Sequence, residues 1–493
     1  MATVPKNIRE KYTVTIGIEC HVQLKTRTKL FSGISNDARD AAPNTLISHI
    51  CMGLPGALPV VKAHAIELAS RAAFALKSTP APFSTFDRKH YFYPDLPMGY
   101  QITQFYDPIV VGGEVRTEVD GKPHTVRITR AHLEADAGKS SHPAGAPYSL
   151  VDLNRAGTPL LEIVSEPDIH SPAEARAYAH ELFLLMKYAD VSDADLFHGN
   201  MRFDVNVSVS KTDALGTRTE TKNLNSFKSV EKAAEYEINR QINLLERGEK
   251  IDQETRGWDE ATQKTTSQRG KEQAHDYRYM PDPDLPPIEL DQDFIAKIKE
   301  SLPTMPDEWR GHLVKLGLDS SQIDVLLEAE VDNSEIAYLN ILQDNLSDTA
   351  FAKQLANWFV NIEIPYRKDE GNNPRILDPQ KPALYKAVYT MVQDNKLSST
   401  AAKNLIQLLL DSEKLPDDIE AFAEAKGLVQ VSNTNELATI VEKVIAENPQ
   451  AVSDIQNGEM KALGFLVGQM MKLSQGKANP SVAQDLLKKK ILS

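Results

Sequence analysis

The 493-residue sequence predicts an α+β fold in which a strand-rich body is followed by helical modules. Two observations lead to this prediction. Residues 12–300 contain short runs of alternating apolar and polar residues, interrupted by turns and prolines. From Trp309 onward, apolar residues recur every three or four positions, which is typical of amphipathic helices. Prolines cluster between Pro281 and Pro306 at the transition, and the chain length indicates two to four domains.

The first strand of the body is predicted at residues 14–24, where side chains alternate between two faces. Apolar residues, with Cys20 among them, occupy one face, whereas Glu19, His21 and Gln23 occupy the other. Such a strand would bury one face and present a carboxylate and an imidazole, two residues apart, on the other. Taken alone, this pattern fits a polar face in solvent better than a functional site.

Three later segments repeat the pattern and strengthen the functional interpretation. Residues 130–136, 202–209 and 218–223 each place charged side chains on one strand face. If these strands join one sheet, their acidic and imidazole groups converge into a cluster suited to a hard divalent cation, most simply Mg²⁺. Convergence is an assumption here, because the spacing determines faces and not strand order. The five residues of this predicted cluster are Glu19, His21, Glu134, Asp204 and Glu220.

Helical patterns occur in both regions. In the body, residues 63–76 predict an alanine-rich helix, and apolar positions between Phe227 and Leu245 predict a second one. Asn225 is predicted to cap the second helix at its N-terminus, and Gly248 is predicted to close it. The C-terminal helices are predicted at residues 321–330, 348–362, 382–394, 399–410, 437–446, 451–458, 461–473 and 482–492.

The composition excludes several classes of protein. The two cysteines, Cys20 and Cys51, are too few for a disulfide framework or a cysteine-rich zinc site. No apolar run approaches the ~20 residues needed to span a membrane, and residues 1–11 lack the apolar core of a signal peptide, so we expect a cytoplasmic protein without a membrane partner. The net charge of −14 argues against a basic nucleic-acid coat but allows a local basic patch.

Several polar segments are open to two interpretations. Residues 87–97 and 154–164 fit either ligand loops or structured turns. Residues 254–259 and 269–281, which mix aromatic and charged side chains, fit either phosphate and base contacts or solvated strands. The basic tail, which includes Lys472, Lys477 and residues 488–490, fits a solvated helix end better than an RNA contact. Residues 137–140 resemble the end of a P-loop, but leucine at position 133 replaces the required glycine, which excludes that motif.

Ordered motifs across the first 300 residues resemble the B-subunit family of tRNA-dependent amidotransferases, which act on aspartyl-tRNA(Asn) and glutamyl-tRNA(Gln). The motifs are residues 17–24, 54–59, 88–97, 132–140, 152–160, 201–208, 222–227 and 276–281, with a weaker one at 476–479. The resemblance implies a largely antiparallel β-sheet "cradle" with flanking helices at residues 1–300. It also implies an all-α helical domain at 301–415 and a small helical, tRNA-binding tail domain at 416–493.

The resemblance further implies a reaction. The chain would use ATP to phosphorylate the side-chain carboxylate of the amino acid on a misacylated tRNA, and ammonia would then attack the acyl phosphate to give Asn-tRNA or Gln-tRNA. By this resemblance the predicted cluster of five residues is catalytic and binds Mg²⁺. The residues expected to bind substrate or ATP are Lys89, Tyr91, Arg202, Lys222, Asn154 and Arg155.

Ammonia is expected from another protein, because the sequence has no amidase signature rich in serine and glycine. The resemblance implies a heterotrimer with a glutamine-hydrolysing A subunit and a small C subunit. Two alternatives remain open: a divalent-metal hydrolase of phosphoesters and a non-catalytic tRNA-binding scaffold. The chain departs from the family at Cys20, where an aliphatic residue is expected, and in lacking a paired-cysteine zinc element. Since Cys20 belongs to the apolar face, this change should affect packing more than chemistry.

Overall fold

The computed structural model describes residues 3–270, 277–332, 337–369, 381–412, 414–430, 434–474, 478 and 480–492. The chain forms two compact units, Met1–Pro306 and Asp307–Ser493. The finer division into domains at residues 1–300, 301–415 and 416–493 stays a prediction. Among the described residues, no helix is both long enough and apolar enough to cross a bilayer.

The first unit is built around a nine-stranded sheet. Its strands follow the order β14-β13-β12-β11-β1-β10-β7-β5, and β6 also pairs with β7. All of its pairings are antiparallel except that of β12 with β13, so the predicted α+β class with a largely antiparallel sheet is confirmed. The strands of the unit are β1 Thr13–Gln23, β2 Phe83–Ser84, β3 Asp87–His90, β4 Tyr100–Thr103, β5 Val110–Val111, β6 Glu114–Val119, β7 Lys122–Ala135, β8 Lys139–Ser141, β9 Leu150–Asp152, β10 Pro159–Ser165, β11 Met201–Ser210, β12 Thr219–Leu224, β13 Glu254–Asp259, β14 Lys264–Gly270, β15 Met280–Pro281 and β16 Ile288–Glu289.

The central strand β1 alternates in burial as its sequence predicts. Every second residue from Val14 to Val22 is buried on one face, and Cys20 is fully buried among them. Burial raises the pKa of the Cys20 thiol well above its ordinary value, as expected for a packed side chain and not a nucleophile. The helices of this unit are α1 Lys6–Arg9, α2 Ala63–Ala75, α3 Pro172–Tyr188, α4 Phe227–Glu246 and α5 Gln292–Glu300. Apolar side chains of α2, α3 and α4 join those of the sheet in one core, which leaves the opposite face of the sheet for polar groups.

The N-terminus of α4 corrects one prediction. Ser226, and not Asn225, is the N-cap, since its hydroxyl accepts a hydrogen bond of 3.0 Å from the backbone N–H of Ser229. Asparagine and serine are both favoured at N-caps, so the sequence did not discriminate between Asn225 and Ser226. At the other end, Gly248 adopts a φ of +76°, the left-handed conformation expected after a helix.

The second unit is helical, as the apolar spacing predicts. Asp348 was predicted to begin a helix at residues 348–362. It is instead the N-cap of the helix Thr349–Trp358, because its carboxylate accepts a hydrogen bond from the N–H of Phe351. Of the basic tail, Lys490 contacts Glu442 at 3.0 Å, and Lys477, like most of the 476–479 motif, lies outside the described residues. The helices of this unit are α6 Pro306–Lys315, α7 Ser320–Asp332, α8 Tyr338–Asp344, α9 Thr349–Trp358, a π-helical turn Phe359–Glu363, α10 Ile364–Lys368, α11 Lys381–Gln393, α12 Ser399–Asp411, α13 Ile419–Ala425, α14 Thr434–Glu447, α15 Pro449–Gln456, α16 Lys461–Leu473 and α17 Pro480–Leu492.

Candidate functional site

Five adjacent strands, β12, β11, β1, β10 and β7, carry the predicted polar faces side by side. The register places Glu19 opposite Asp204 and His21 opposite Glu162. The polar residues that the sequence placed on one face of each strand therefore lie on one face of one sheet. The convergence assumed from the sequence occurs, but it produces two groups of ligand-type atoms and not one.

The first group, here called the acidic triad, consists of Glu19, Asp204 and Glu220. Its carboxylate oxygens lie within 4.8 Å of one another. The Lys222 ammonium contacts Asp204 at 3.0 Å and Glu220 at 3.1 Å and supplies the nearest positive charge. Asn206 donates a hydrogen bond of 3.1 Å to Glu19, which orients that carboxylate toward the other two.

The acidic triad holds excess negative charge. Burial raises the pKa of Glu19, and repulsion from Glu162 and Glu220 raises it further. Burial opposes the charge on Lys222, but Asp204 and Glu220 outweigh burial, so the pKa of Lys222 is raised. One ammonium among three carboxylates leaves a net negative site, which a divalent cation would offset.

The second group, here called the histidine triad, consists of His21, Glu134 and Glu162. The His21 Nε2 atom lies 3.7 Å from Glu134 and 3.6 Å from Glu162, and all three ligand atoms lie within 4.8 Å of one another. A second imidazole, His132, lies 3.4 Å from Glu162 and 3.8 Å from Glu134. The Nδ1 atoms of His21 and His132 are buried and have no hydrogen-bond partner among the described residues.

The two carboxylates of the histidine triad behave differently. Burial and then repulsion from Glu162 raise the pKa of Glu134. Burial also acts to raise the pKa of Glu162, but the two neighbouring imidazoles, His132 and His21, outweigh it and hold that pKa below its ordinary value. A bound cation would favour the charged form of both carboxylates.

Glu162 is a site residue that our sequence reasoning missed. It was part of residues 154–164, a segment interpreted as either a ligand loop or a structured turn. A signal was present, because Glu162 is the one charged residue in the otherwise apolar strand β10. An isolated carboxylate inside such a strand is rarely buried without a partner.

Two further cations border the histidine triad. Burial opposes the charge of Lys89, but Glu134 and then Tyr279 outweigh burial, so the pKa of Lys89 is raised. Its ammonium lies 4.9 Å from the centre of the Tyr277 ring. Arg202 is opposite His21 in the sheet and contacts Asp136 at 3.3 Å.

The remaining predicted binding residues lie around this centre. Arg155 contacts Asp136 at 3.1 Å, so Asp136 bridges it to Arg202. Tyr91 donates a weak hydrogen bond of 3.4 Å to Gln101, and burial raises its pKa. Asn154 holds a loop, since it donates to Ala42 and accepts from the N–H of Leu46 at 2.7 and 2.8 Å. Their contacts with substrate or ATP stay predictions.

Two cavities flank the triads along β1. The polar face of this strand presents Gly17, Glu19, His21 and Gln23 in order. A cavity of about 210 Å³ includes Gly17 and reaches Glu19, and we call it the Gly17 pocket. A wider cavity of about 500 Å³, the Gln23 pocket, lies at the other end. The lining of the Gln23 pocket includes Gln23, Lys25, Lys139, Asn154, Arg155 and His198.

Comparison with known proteins identifies the family of this chain. Residues 14–296 match the model of the GatB/GatE catalytic domain, and residues 338–491 match that of the GatB domain. The B subunit of aspartyl/glutamyl-tRNA(Asn/Gln) amidotransferase from Carboxydothermus hydrogenoformans is 43% identical over 98% of this chain and 99% of its own length. A protein of the same name from Geobacter sulfurreducens is 44% identical over 97% of this chain and 99% of its own length. Another, from Moorella thermoacetica, is 42% identical over 98% of this chain and 100% of its own length. The chain therefore belongs to the B-subunit family of the tRNA-dependent amidotransferases.

Proposed function

We propose that this chain catalyses the ATP-dependent activation step of a glutamine-dependent ligase acting on misacylated tRNA. The substrate would be the side-chain carboxylate of Asp or Glu esterified to tRNA(Asn) or tRNA(Gln). The observation that carries the proposal is the pair of adjacent triads, bordered by Lys89, Arg202 and Lys222, on one face of one sheet. The family of the chain supports the same reaction class.

The chemistry requires activation. A carboxylate does not expel oxide when ammonia attacks, so one oxygen must first become a leaving group. The carboxylate oxygen attacks the γ-phosphorus of ATP, the bond to ADP breaks, and an acyl phosphate forms. Ammonia then attacks the acyl carbon, phosphate leaves, and the amide of Asn-tRNA or Gln-tRNA results. Phosphoryl transfer of this kind depends mainly on positioning and on offsetting negative charge.

Both triads fit Mg²⁺. Each offers three ligand atoms within 4.8 Å, and carboxylate oxygens are the donors that this hard cation prefers. The buried Nδ1 atoms of His21 and His132 have no hydrogen-bond partner among the described residues, so a bound ligand or its water would satisfy them. We propose that Glu19, Asp204 and Glu220 hold one ion and that His21, Glu134 and Glu162 hold a second. Bound Mg²⁺ would offset the negative charge on the transferring phosphoryl group.

The cations of this chain would then complete the phosphate site. Lys222 already bridges two carboxylates of the acidic triad, and its ammonium is suited to the outer phosphates of ATP. Lys89 is half-buried, and the charge of Glu134 helps to raise its pKa, so its ammonium would offset the carboxylate of the substrate. Arg202 is held by Asp136 and would orient the same group through its planar guanidinium.

We infer that ammonia reaches this site from a partner. The assembly would be a heterotrimer with a glutamine-hydrolysing A subunit and a small C subunit, and it would act on tRNA in the cytoplasm. The wider Gln23 pocket, which contains Arg155 and Lys139, would receive the acceptor end of the tRNA. Neither a phosphoester hydrolase nor a tRNA-binding scaffold is favoured, because the family assignment supports the ligase.

The test is reconstitution of the full chain with its partner subunits, misacylated tRNA and γ-labelled ATP. Acyl phosphate and amide are scored separately. Glu19→Gln and Glu162→Gln should each lower ATP-dependent acyl phosphate formation by roughly 100-fold or more, the size typical for losing one charge-stabilising group. Each variant keeps the shape of the side chain and removes its charge.

Glu118→Gln is the matched control, because this glutamate is exposed on β6 of the same unit. It should leave both products unchanged. Amide formation without ATP consumption would refute the proposed activation step. Wild-type rates in both triad variants would refute the proposed site while leaving the family assignment intact.

A further inference from the structure

Lys29 is a buried cation that the proposed reaction does not use. This residue is 1% exposed, although lysine is rarely buried without a partner. Its ammonium donates hydrogen bonds to the carbonyl oxygens of Leu46, at 2.7 Å, and Leu153, at 3.3 Å. It also lies 3.3 Å from the Sγ atom of Cys51. Of these three partners, only the Cys51 thiol can become an anion, and no carboxylate of the described residues forms an ion pair with Lys29.

The surroundings of Cys51 stabilise its thiolate form. The hydroxyl of Ser48 accepts a hydrogen bond of 3.2 Å from the backbone N–H of Cys51 and donates one of 3.3 Å to Sγ. Burial acts to raise the pKa of the Cys51 thiol, but the hydrogen bonds of Ser48 and the charge of Lys29 outweigh burial, so this pKa is lowered. The carbonyl oxygen of Ala156, 3.5 Å from Sγ, can accept the proton of the neutral thiol. Nearby cations and donors make a cysteine reactive, whereas the apolar burial of Cys20 makes that thiol inert.

A small cavity adjoins Lys29 and Cys51. Its volume is about 40 Å³, and both residues line it together with Ser32. One water needs roughly 10–15 Å³ of such space, so the cavity admits a molecule the size of about two or three waters. The Ser32 hydroxyl is buried and has no hydrogen-bond partner in the described part of the chain. An unsatisfied hydroxyl beside an ammonium and a thiol therefore marks a place for a small polar molecule.

We propose that Cys51 is an oxidation site for a small hydroperoxide, and that the Lys29 ammonium supplies the proton of the reaction. The thiolate sulfur attacks one peroxide oxygen, so an S–O bond forms and the O–O bond breaks. Sulfur loses two electrons, which leave with the second oxygen as hydroxide or alkoxide. That oxygen takes a proton from Lys29. The products are a sulfenic acid, a neutral lysine amine and water or an alcohol, so the buried site loses both of its charges.

Oxidation would reach the candidate site through one loop. The backbone N–H of Leu46, whose carbonyl oxygen accepts from Lys29, donates a hydrogen bond of 2.8 Å to Asn154. Asn154 and Arg155 line the Gln23 pocket. A neutral amine binds carbonyl oxygens less strongly than an ammonium does, so the loop should loosen. This consequence rests on the proposed function, because it takes the Gln23 pocket to receive the tRNA, whereas the oxidation itself does not.

The chemical test treats the full reconstituted complex with hydrogen peroxide and dimedone, which traps sulfenic acids, and locates the adduct by mass spectrometry. The adduct should form on Cys51, and Cys20 in the same chain is the internal control that should stay unmodified. Cumene hydroperoxide should react far more slowly, because a cavity of about 40 Å³ excludes it. No adduct on Cys51, or equal adducts on both cysteines, would overturn the inference.

Two variants test the role of the neighbours. Lys29→Met should slow oxidation of Cys51 by roughly 10-fold or more, since only a few per cent of an ordinary cysteine is thiolate at neutral pH. Ser48→Ala, a milder change that threatens the fold less, should slow it by roughly 5-fold through loss of one hydrogen bond. Lys6→Met is the matched control, because the side chain of Lys6 is 91% exposed, and it should leave the rate unchanged. Wild-type rates in both Lys29→Met and Ser48→Ala would overturn the assigned role of Lys29.

The functional test compares amide formation before and after peroxide treatment. The Michaelis constant for misacylated tRNA should rise by roughly 5-fold in wild type and recover with dithiothreitol. Cys51→Ser, which removes the reactive sulfur, should show no such rise. An unchanged constant in oxidised wild type would overturn the link to the Gln23 pocket and leave the proposed function standing. If the untreated complex forms no amide, the proposed function fails, and the dimedone adduct still decides the oxidation site.

Discussion

The most informative single substitution for stability is Glu237→Gln in α4. Glu237 is fully buried, and its carboxylate accepts hydrogen bonds from Arg240 at 2.8 Å and from Thr219 at 2.9 Å. Arg256 of β13 lies 3.0 Å from the same carboxylate, and Thr265 of β14 also donates to it. One carboxylate thus joins α4 to three strands, among them β12, which carries Glu220 and Lys222 of the site.

The substitution should lower the free energy of unfolding, because it removes a negative charge that two buried guanidinium groups share. Glutamine keeps the volume of glutamate, so no cavity forms. The side chains of Arg240 and Arg256 are only about a tenth exposed and would share Glu254 alone. Removing one partner of a buried ion pair costs about 3–5 kcal/mol. With an unfolding entropy of ~2.1 cal/mol/K per residue, the unit Met1–Pro306 should melt roughly 5–8 °C lower.

The assay is thermal and urea unfolding of the full chain, followed through tryptophan fluorescence. Trp258 lies on β13, beside the network, and Trp309→Phe and Trp358→Phe make it the one tryptophan reporter. Glu231→Gln is the matched control on the same helix, since its ion pair with Arg176 is long, at 3.5 Å, and partly exposed, and is worth at most about 1 kcal/mol. A melting shift no larger than that of the control would refute the idea that Glu237 anchors the sheet.

Three further predictions follow from the site and its supports. Because the pKa of Glu19 is raised, the metal-free protein should lose stability as the pH rises from the ordinary pKa of 4.5 through the raised one. In urea titrations with chelator, Glu19→Gln should reduce this dependence of the unfolding free energy on pH. The same dependence in the variant and in wild type would contradict the prediction. Lys89→Met should slow acyl phosphate formation by roughly 100-fold with little change in ATP binding, and a purely structural lysine would instead lower the melting temperature. Ser226→Ala should cost about 1 kcal/mol in unfolding free energy and Asn225→Ala much less, and the reverse order would restore Asn225 as the cap.

Several features of the fold were accessible from the sequence because they depend on local spacing. Alternation from Val14 to Leu24 determines which side chains of β1 share a face, and the structure buries the apolar set as expected. The helix starting at Lys461 and ending at Leu473 was predicted with both bounds correct, because its apolar positions follow one helical face. Exact cap positions were less accessible, since Asn225 and Ser226 have nearly equal intrinsic preference.

The division of the site into two triads was not accessible from the sequence. Period-two spacing orients Glu19, His21 and Glu134 on their strands but says nothing about which strands are neighbours. Strand β10 lies between β1 and β7 and contributes Glu162, so the histidine triad forms around a residue that had not been singled out. The partnership of Glu237 with Arg256 was equally hidden, because it joins a helix to a strand through the core.

By itself, the sequence determined the faces, the two regions of different character and the residue types able to bind a cation and phosphate, because each of these depends on neighbours along the chain. The tertiary structure alone decided the strand order, and with it the separation of one predicted cluster into the acidic and histidine triads. It also decided where β10 leaves β1 to open the Gly17 pocket. Those features depend on pairing between residues more than 100 positions apart, such as Glu19 with Asp204 and Ile16 with Ile169, which local spacing does not encode.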